Sequence, residues 1–167
     1  MLEPNLINPG VFAADRLSLQ GELPLAELDG RVWSHEYLAD RQARVRFRLQ
    51  GGTDRLRRPF LDLHIQCGLP LICQRCMRPM PFEIDENAHI VLFADEAALD
   101  AAMLADEDLE GMPLVGKLDV RTLVEDQVLM AMPYAPRHEN CTSGAVEIVN
   151  QDKPNPFAVL AGLKGKK

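Results

Sequence analysis

The sequence predicts an α+β fold, in which an antiparallel sheet meander packs against a few helices. Two stretches, 43–50 and 60–67, alternate apolar and polar residues as half-buried strands do. A Gly-Gly-Thr-Asp turn at 51–54 separates them, so the two strands are expected to be adjacent and antiparallel. Apolar residues recur at helical spacing over 119–132, which predicts a helix that covers one face of the sheet.

Further elements precede and follow this central pair of strands. A short first strand is expected over 17–23, and Pro24 can then begin a helix that continues to about Val32. Another strand region covers 82–93, where the apolar register changes near Asn87 and predicts a break or bulge. The sheet therefore contains three or four strands, either open or curled into a barrel-like form.

Two helices are predicted beyond the sheet. Alanine and leucine dominate 95–109, which favours a short helix followed by a charged loop. Asp119 is a good N-cap for the strongest predicted helix, which Pro133 ends. The chain length suits a single α+β domain over 1–135. The remainder, 136–167, reads as a largely irregular C-terminal segment ending in a short helix.

Charged residues are unevenly distributed along the chain. Residues 95–110, the acidic segment, contain seven acids and no Lys or Arg, which accounts for the whole formal net charge of -7. Residues 41–58, by contrast, contain seven arginines and one acid, Asp54. A basic patch of this kind is a candidate contact for an anionic partner such as RNA.

Six of these arginines are candidate RNA-binding residues. Three of them alternate with apolar residues along one strand, so they share a face at intervals of about 7 Å, close to the phosphate spacing of extended RNA. The alternative is a solvated face whose charges serve solubility and edge protection. No exposed aromatic residues interleave with them, so base stacking is not indicated. The candidates are Arg44, Arg46 and Arg48 (the arginine face), followed by Arg55, Arg57 and Arg58.

The cysteines are interpreted as those of an intracellular protein. The N-terminus lacks a signal peptide, and every long apolar stretch is interrupted by charge, so a cytoplasmic location without a membrane function is expected. Cysteines in that compartment stay reduced, and their spacing is therefore examined for metal or redox chemistry.

A zinc site is one interpretation of the cysteine spacing. Cys73 and Cys76 form a C-x2-C knuckle (residues 73–76), which supplies half of a tetrahedral site. His138 and Cys141, spaced H-x2-C, can supply the other half if the chain folds back. Strand alternation turns Cys67 inward, away from such a site.

Two other interpretations of the knuckle stay open. The cysteines can be small packed side chains, because Cys is among the most buried residue types. A redox pair would instead need a helix directly after the knuckle to lower a thiol pKa, and Pro79 and Pro81 disfavour one. No nucleophile elbow, phosphate-binding loop or metalloprotease histidine spacing occurs either, so a non-enzymatic binding protein without a small-molecule substrate is expected.

Four motifs in order resemble those of the bacterial YceD family. They are Cys-Gln-Arg-Cys at 73–76, the helix motif at 118–133, Pro-Arg-His at 136–138 with Cys141, and the Lys-Pro-Asn-Pro-Phe motif that begins at 153. The family's pattern includes the positions of Cys73, Cys76 and Cys141, with His138 nearby. It omits Cys67 and supplies no established metal, so zinc rests on the donor spacing.

The resemblance implies a role in ribosome biogenesis. Members are described as large ribosomal RNA subunit accumulation proteins, needed for synthesis, processing or stability of 23S rRNA. The expected partner is therefore large-subunit rRNA or a pre-ribosomal particle, contacted through the arginine face, with the acidic segment shielding that face or binding ribosomal proteins. The alternative is an adaptor that binds ribosomal proteins or processing enzymes without touching RNA.

Overall fold

The structure, a computed structural model, describes residues 6–34 and 36–141. Its strands and helices alternate along the chain, and a 3-10 turn at Leu25–Glu27 stands between β2 and α2. In chain order the elements are β1 (Leu6–Ile7), α1 (Pro9–Ala14), β2 (Ser18–Pro24), α2 (Gly30–Trp33), β3 (Arg44–Thr53), β4 (Pro59–Ile72), β5 (Pro79–Phe93), α3 (Glu96–Ala105), β6 (Gly111–Pro113), β7 (Leu118–Asp119) and α4 (Val120–Ala131).

The sheet is a meander with one parallel addition. Five strands, and not the predicted three or four, pair in the order β2-β3-β4-β5-β6. Each pair is antiparallel except β5 with the short β6. The predicted α+β class and the adjacency of the two central strands are confirmed. Among the described residues β2 and β6 remain the two edges, so the sheet is open rather than barrel-like.

The predicted break in β5 is wrong. Its pairing with β4 runs without interruption from Phe60 opposite Val91 to Ile72 opposite Pro79. The apolar pattern changes for another reason. Glu86 occupies the inward-facing row of β5 yet stays exposed, whereas Val91 points to the other face and is buried where α3 and β6 pack against the strand.

The core lies on one face of the sheet, beneath the helices. Alternate residues of β3 and β4, such as Val45 and Ile65, are fully buried there, and α1 and α4 both pack on the central strands. Asn8 accepts the N–H of Val11 and Pro9 begins α1, which is a normal helix start. The opposite, outer face of the sheet carries the exposed and half-buried polar side chains of β3, β4 and β5.

The single helix expected over 24–32 is also wrong. The chain makes the 3-10 turn, and Leu28 then adopts an extended backbone that ends it. Asp29 starts the separate helix α2 by accepting the N–H of Arg31 at 2.8 Å. The Asp29 N–H donates to the buried carboxylate of Glu125 in α4 at 2.9 Å. The residue that begins α2 therefore also links α2 to α4. Burial raises the pKa of Glu125.

The other predicted helices follow their sequence signals. Asp95 caps α3 by accepting the N–H of Ala98, and Asp119 caps α4 by accepting the N–H of Arg121. The helix expected near the C-terminus lies outside the described residues. Within the described part of the chain, no helix is both long and apolar enough to cross a membrane.

Gly51 is predicted to be a position where a methyl group cannot be added. A Cβ there would lie 2.4 Å from the carbonyl oxygen of Phe12 and 2.8 Å from the Cα of Ala13, so the backbone of α1 would have to move. We expect Gly51→Ala to lower the free energy of unfolding by about 1–3 kcal/mol, as overpacking does. Urea denaturation monitored by circular dichroism measures the loss.

Gly68→Ala is the matched control, because it also lies within a strand. Its Cβ would meet only the carboxylate of Glu83, at 2.9 Å, and that flexible side chain can turn away. Gly68→Ala should therefore match the wild-type stability. Equal stabilities for the two variants would contradict the packing of α1 on β3.

Candidate functional site

The knuckle is a tight turn between the longest strands of the sheet. Cys73 accepts the N–H of Met77 through its carbonyl at 2.9 Å and donates its own N–H to the carbonyl of Arg78 at 2.9 Å. Met77 has a φ of 58°, in the left-handed region that lets the chain reverse. β5 then begins at Pro79, so the chain turns directly from one strand into the next.

A second segment closes against the knuckle after α4 has ended. The N–H of Gln74 donates to the carbonyl of Pro136 at 2.8 Å, and the Arg75 guanidinium donates to the carbonyl of Cys141 at 2.8 Å. These two bonds fix residues 136–141 beside the turn. They bring His138 and Cys141, which the sequence placed far from the knuckle, to the two knuckle cysteines.

The resulting Cys3His cluster has the dimensions of a tetrahedral metal site. The four donor atoms lie within 4.8 Å of one another. The sulfurs of Cys73 and Cys141 are 3.6 Å apart, and the sulfur of Cys76 is 3.4 Å from His138 Nδ1. Zinc at its normal bond lengths would separate two sulfurs by about 3.8 Å and a sulfur from a nitrogen by about 3.6 Å. The donors therefore form a group that could hold a metal.

The knuckle backbone favours a thiolate at one of these cysteines. Burial raises the pKa of Cys73, but the N–H groups of Cys76, His138 and Arg75 point at its sulfur and lower the pKa to about 5. The bonds from Arg75 and His138 are 3.4 and 3.5 Å long. Burial raises the pKa of Cys141, and its contact with the other two sulfurs raises it further. A bound cation would favour thiolates throughout the cluster.

The structure also tests the redox interpretation of the knuckle and the predicted position of Cys67. A strand follows the knuckle where a redox pair would need a helix N-terminus. Cys67 lies on the inner face of β4, only 5% exposed, and burial raises its pKa to about 11. It is a core side chain, as the strand alternation predicted, and it lies outside the cluster.

The arginine face lies on the outer side of β3, where all three side chains are exposed. Arg44 forms an ion pair with Glu22 of the neighbouring strand β2. Arg46 lies opposite Glu22 of β2 and Gln66 of β4. Arg48 lies opposite Gln20 of β2 and His64 of β4. Neither arginine makes an ion pair with any residue in 6–34 or 36–141. The two central arginines are therefore the ones free to bind an external anion.

The other three candidate arginines form a separate group. Arg58 is held by Asp54 at 2.7 Å, and that carboxylate also accepts the N–H groups of Leu56 and Arg58 in the turn between β3 and β4. Arg55 and Arg57 are exposed on the same turn. The turn begins after Thr53, so it lies about 17 Å along the strand from Arg48. The six residues do not form one continuous surface.

Two histidines and an aromatic ring on the outer face were not among the site residues predicted from the sequence. His64 contacts Asp85 at 2.7 Å and His89 contacts Asp62 at 2.5 Å across adjacent strands. The half-buried ring of Phe60 lies 4.7 Å from the His89 ring, so an aromatic residue does accompany the arginines on this face. The sequence signal for this aromatic residue was the strand alternation, because Phe60 lies in the same outward row of β4 as Asp62 and His64.

The acidic segment approaches only one end of the outer face. Asp106, Asp108 and Glu110 line a pocket together with Arg58 and His89. This pocket is at the turn end of the sheet, whereas Arg46 and Arg48 line other depressions on the face.

Comparisons with known proteins identify relatives of this chain. Residues 61–164 match the family model described as "Large ribosomal RNA subunit accumulation protein YceD". A Haemophilus influenzae protein of that same name is 34% identical over 113 residues, which cover 61% of this chain and 63% of the relative. The match thus spans less than two thirds of that relative's length. No solved structure shows significant similarity to the chain.

Proposed function

The chain belongs to the YceD family, and on that premise we propose that it is a non-enzymatic ribosome-biogenesis factor acting in the cytoplasm. It supports the synthesis, processing or stability of 23S rRNA by binding that RNA or a pre-ribosomal particle. The binding surface is the arginine face, and its main contacts are Arg46 and Arg48. The three arginines at the β3–β4 turn are a separate group, about 17 Å along the strand from Arg48, and are proposed as an additional RNA contact near the acidic segment.

The observation that carries RNA binding is the pair of arginines without acidic partners. Arg46 and Arg48 stand about 7 Å apart on the exposed side of a strand, near the spacing of successive phosphates in an extended RNA. Arg44 is already neutralised by Glu22. In a chain with a net charge of -7, two exposed arginines outside any described ion pair attract phosphate locally, in spite of the overall charge and of Glu22 opposite Arg46.

The Cys3His cluster is proposed to bind one zinc ion as a structural centre. Three cysteine sulfurs and a histidine nitrogen are a donor set that zinc prefers, and four protein ligands leave no open position for a substrate. Its role is to hold residues 136–141 against the knuckle. Residues 136–141 are thereby anchored at one end of the sheet.

The acidic segment supports a second candidate function, that of a protein adaptor without RNA contact. Its helix α3 has no buried residue, and the loop after it is exposed. A basic ribosomal protein would find a complementary surface there. Affinity capture from extract, with and without nuclease, separates the two functions, because captured ribosomal proteins survive nuclease only if they are bound directly.

RNA binding is predicted to depend on Arg46 and Arg48 more than on Arg44. In filter binding to large-subunit rRNA fragments, the variant Arg46→Gln with Arg48→Gln should bind at least about tenfold more weakly at low salt. Its plot of log K against log salt should lose about two units of slope, one for each phosphate contact. Arg44→Gln is the matched control and should change the slope by less than half a unit. Identical binding by wild type and the double variant would remove the arginine face as the RNA site.

Protein purified without a metal-binding tag is predicted to contain about one zinc per chain. Cys76→Ser removes a cluster ligand and should lose the metal during dialysis against a chelator. Cys67→Ala alters a cysteine outside the cluster and should keep it. Elemental analysis measures all three proteins. Wild-type protein with less than about a tenth of an equivalent of zinc would refute the zinc proposal.

A further inference from the structure

We propose that the knuckle tip, formed by Arg75, Met77, Arg78, Tyr134 and Arg137, is a second contact for single-stranded RNA. The inference rests on the proposed function and assigns the tip a binding role beyond that of a cross-link. A base stacks on the ring of Tyr134, and the guanidinium groups beside it hold the adjoining phosphates.

Tyr134 is placed at the tip by its neighbours in the chain. It lies two residues before Pro136, whose carbonyl accepts the N–H of Gln74 in the knuckle. Its side chain is 95% exposed, and that of Met77 on the other side of the turn is 67% exposed. Neither side chain contributes to the core, so a large aromatic ring is presented to solvent beside the cluster without a folding reason.

The tip also presents arginines that can contact phosphate. Arg75, Arg78 and Arg137 are exposed, and none of them forms an ion pair with another described residue. Glu139 and the thiolates of the cluster are nearby anions, so the tip contributes individual phosphate contacts and not a surplus of positive charge.

An aromatic ring flanked by arginines is the combination that recognises unpaired nucleotides. Every base has a face that stacks on tyrosine, and the arginines bind phosphate without regard to sequence. A duplex buries its base faces, so it cannot use the ring. The surface therefore fits single-stranded RNA rather than a helix.

The tip and the arginine face can hold one RNA strand together. Arg46 pairs with Gln66, which lies six residues before the end of β4 at Ile72, a distance of about 20 Å along the strand. At about 6–7 Å per nucleotide, an extended RNA crosses that distance in about three steps. The knuckle tip lies beyond Ile72, so an RNA of four nucleotides, whose three steps span at most about 20 Å, falls short of holding both sites, whereas one of about eight nucleotides reaches both.

The test measures binding of unstructured single-stranded RNAs of 4 and 12 nucleotides to the full-length chain. Tyr134→Ala should weaken binding of the 12-nucleotide RNA by about 5- to 100-fold, the range for one stacked base, while Tyr134→Phe stays within about twofold. Arg78→Gln should lower the salt slope by about one unit. Arg16→Gln, an exposed arginine at the end of α1 and outside both surfaces, is the matched control and should leave the slope unchanged.

The outcomes separate this inference from the proposed function. Wild-type protein that binds neither RNA overturns both. If the wild type binds, Arg46 and Arg48 matter, and Tyr134→Ala with Arg78→Gln binds like wild type, the second contact is refuted while the proposed function stands. A gain in affinity from 4 to 12 nucleotides that disappears in Tyr134→Ala supports the inference. Thermal unfolding midpoints equal to the wild type confirm that the variants are folded.

Discussion

The closure of residues 136–141 onto the knuckle is the contact on which the arrangement of the functional surfaces depends. It joins Cys73 to Cys141 across 68 positions of sequence, between the tip of a hairpin and the chain that leaves α4. The zinc ion proposed for the cluster would close a loop of that length, and a cross-link of that kind removes about 4 kcal/mol of chain entropy from the unfolded state. Without the ion, the segment 136–141 is held to the knuckle by hydrogen bonds such as those to Pro136 and Cys141, each contributing about 1 kcal/mol.

The sheet determines where charge is available to a partner. Helices cover the inner face, so the polar rows of β3, β4 and β5 are left on the outer face. A cross-strand ion pair neutralises Arg44 with Glu22, and His64 contacts Asp85 across the neighbouring pair of strands. The acids after α3 lie near the β3–β4 turn, away from Arg46 and Arg48. Those two arginines and the knuckle tip at the far end of β4 are two places that we propose bind an anionic strand.

Local patterns predicted the features that have local causes. The alternation in β3 and β4, the Asp95 and Asp119 caps and the inward position of Cys67 each depend on a few neighbouring residues. Features set by distant contacts did not follow from sequence. β5 looked interrupted because Val91 is buried on the outer side by packing from α3 and β6. The pairing of the knuckle with His138 and Cys141 is the exception, because the C-x2-C and H-x2-C spacings are typical of zinc ligands.

The most direct test of the central claim is zinc K-edge X-ray absorption on the purified full-length protein. The Cys3His centre predicts a first shell of three sulfurs at about 2.3 Å and one nitrogen at about 2.0–2.1 Å. His138→Ala should remove the outer-shell scattering of the imidazole ring while the three sulfurs remain, because a water can take the fourth position at a similar distance. A shell of oxygen and nitrogen without sulfur, or imidazole scattering that persists in His138→Ala, would contradict a metal centre that closes residues 136–141 onto the knuckle.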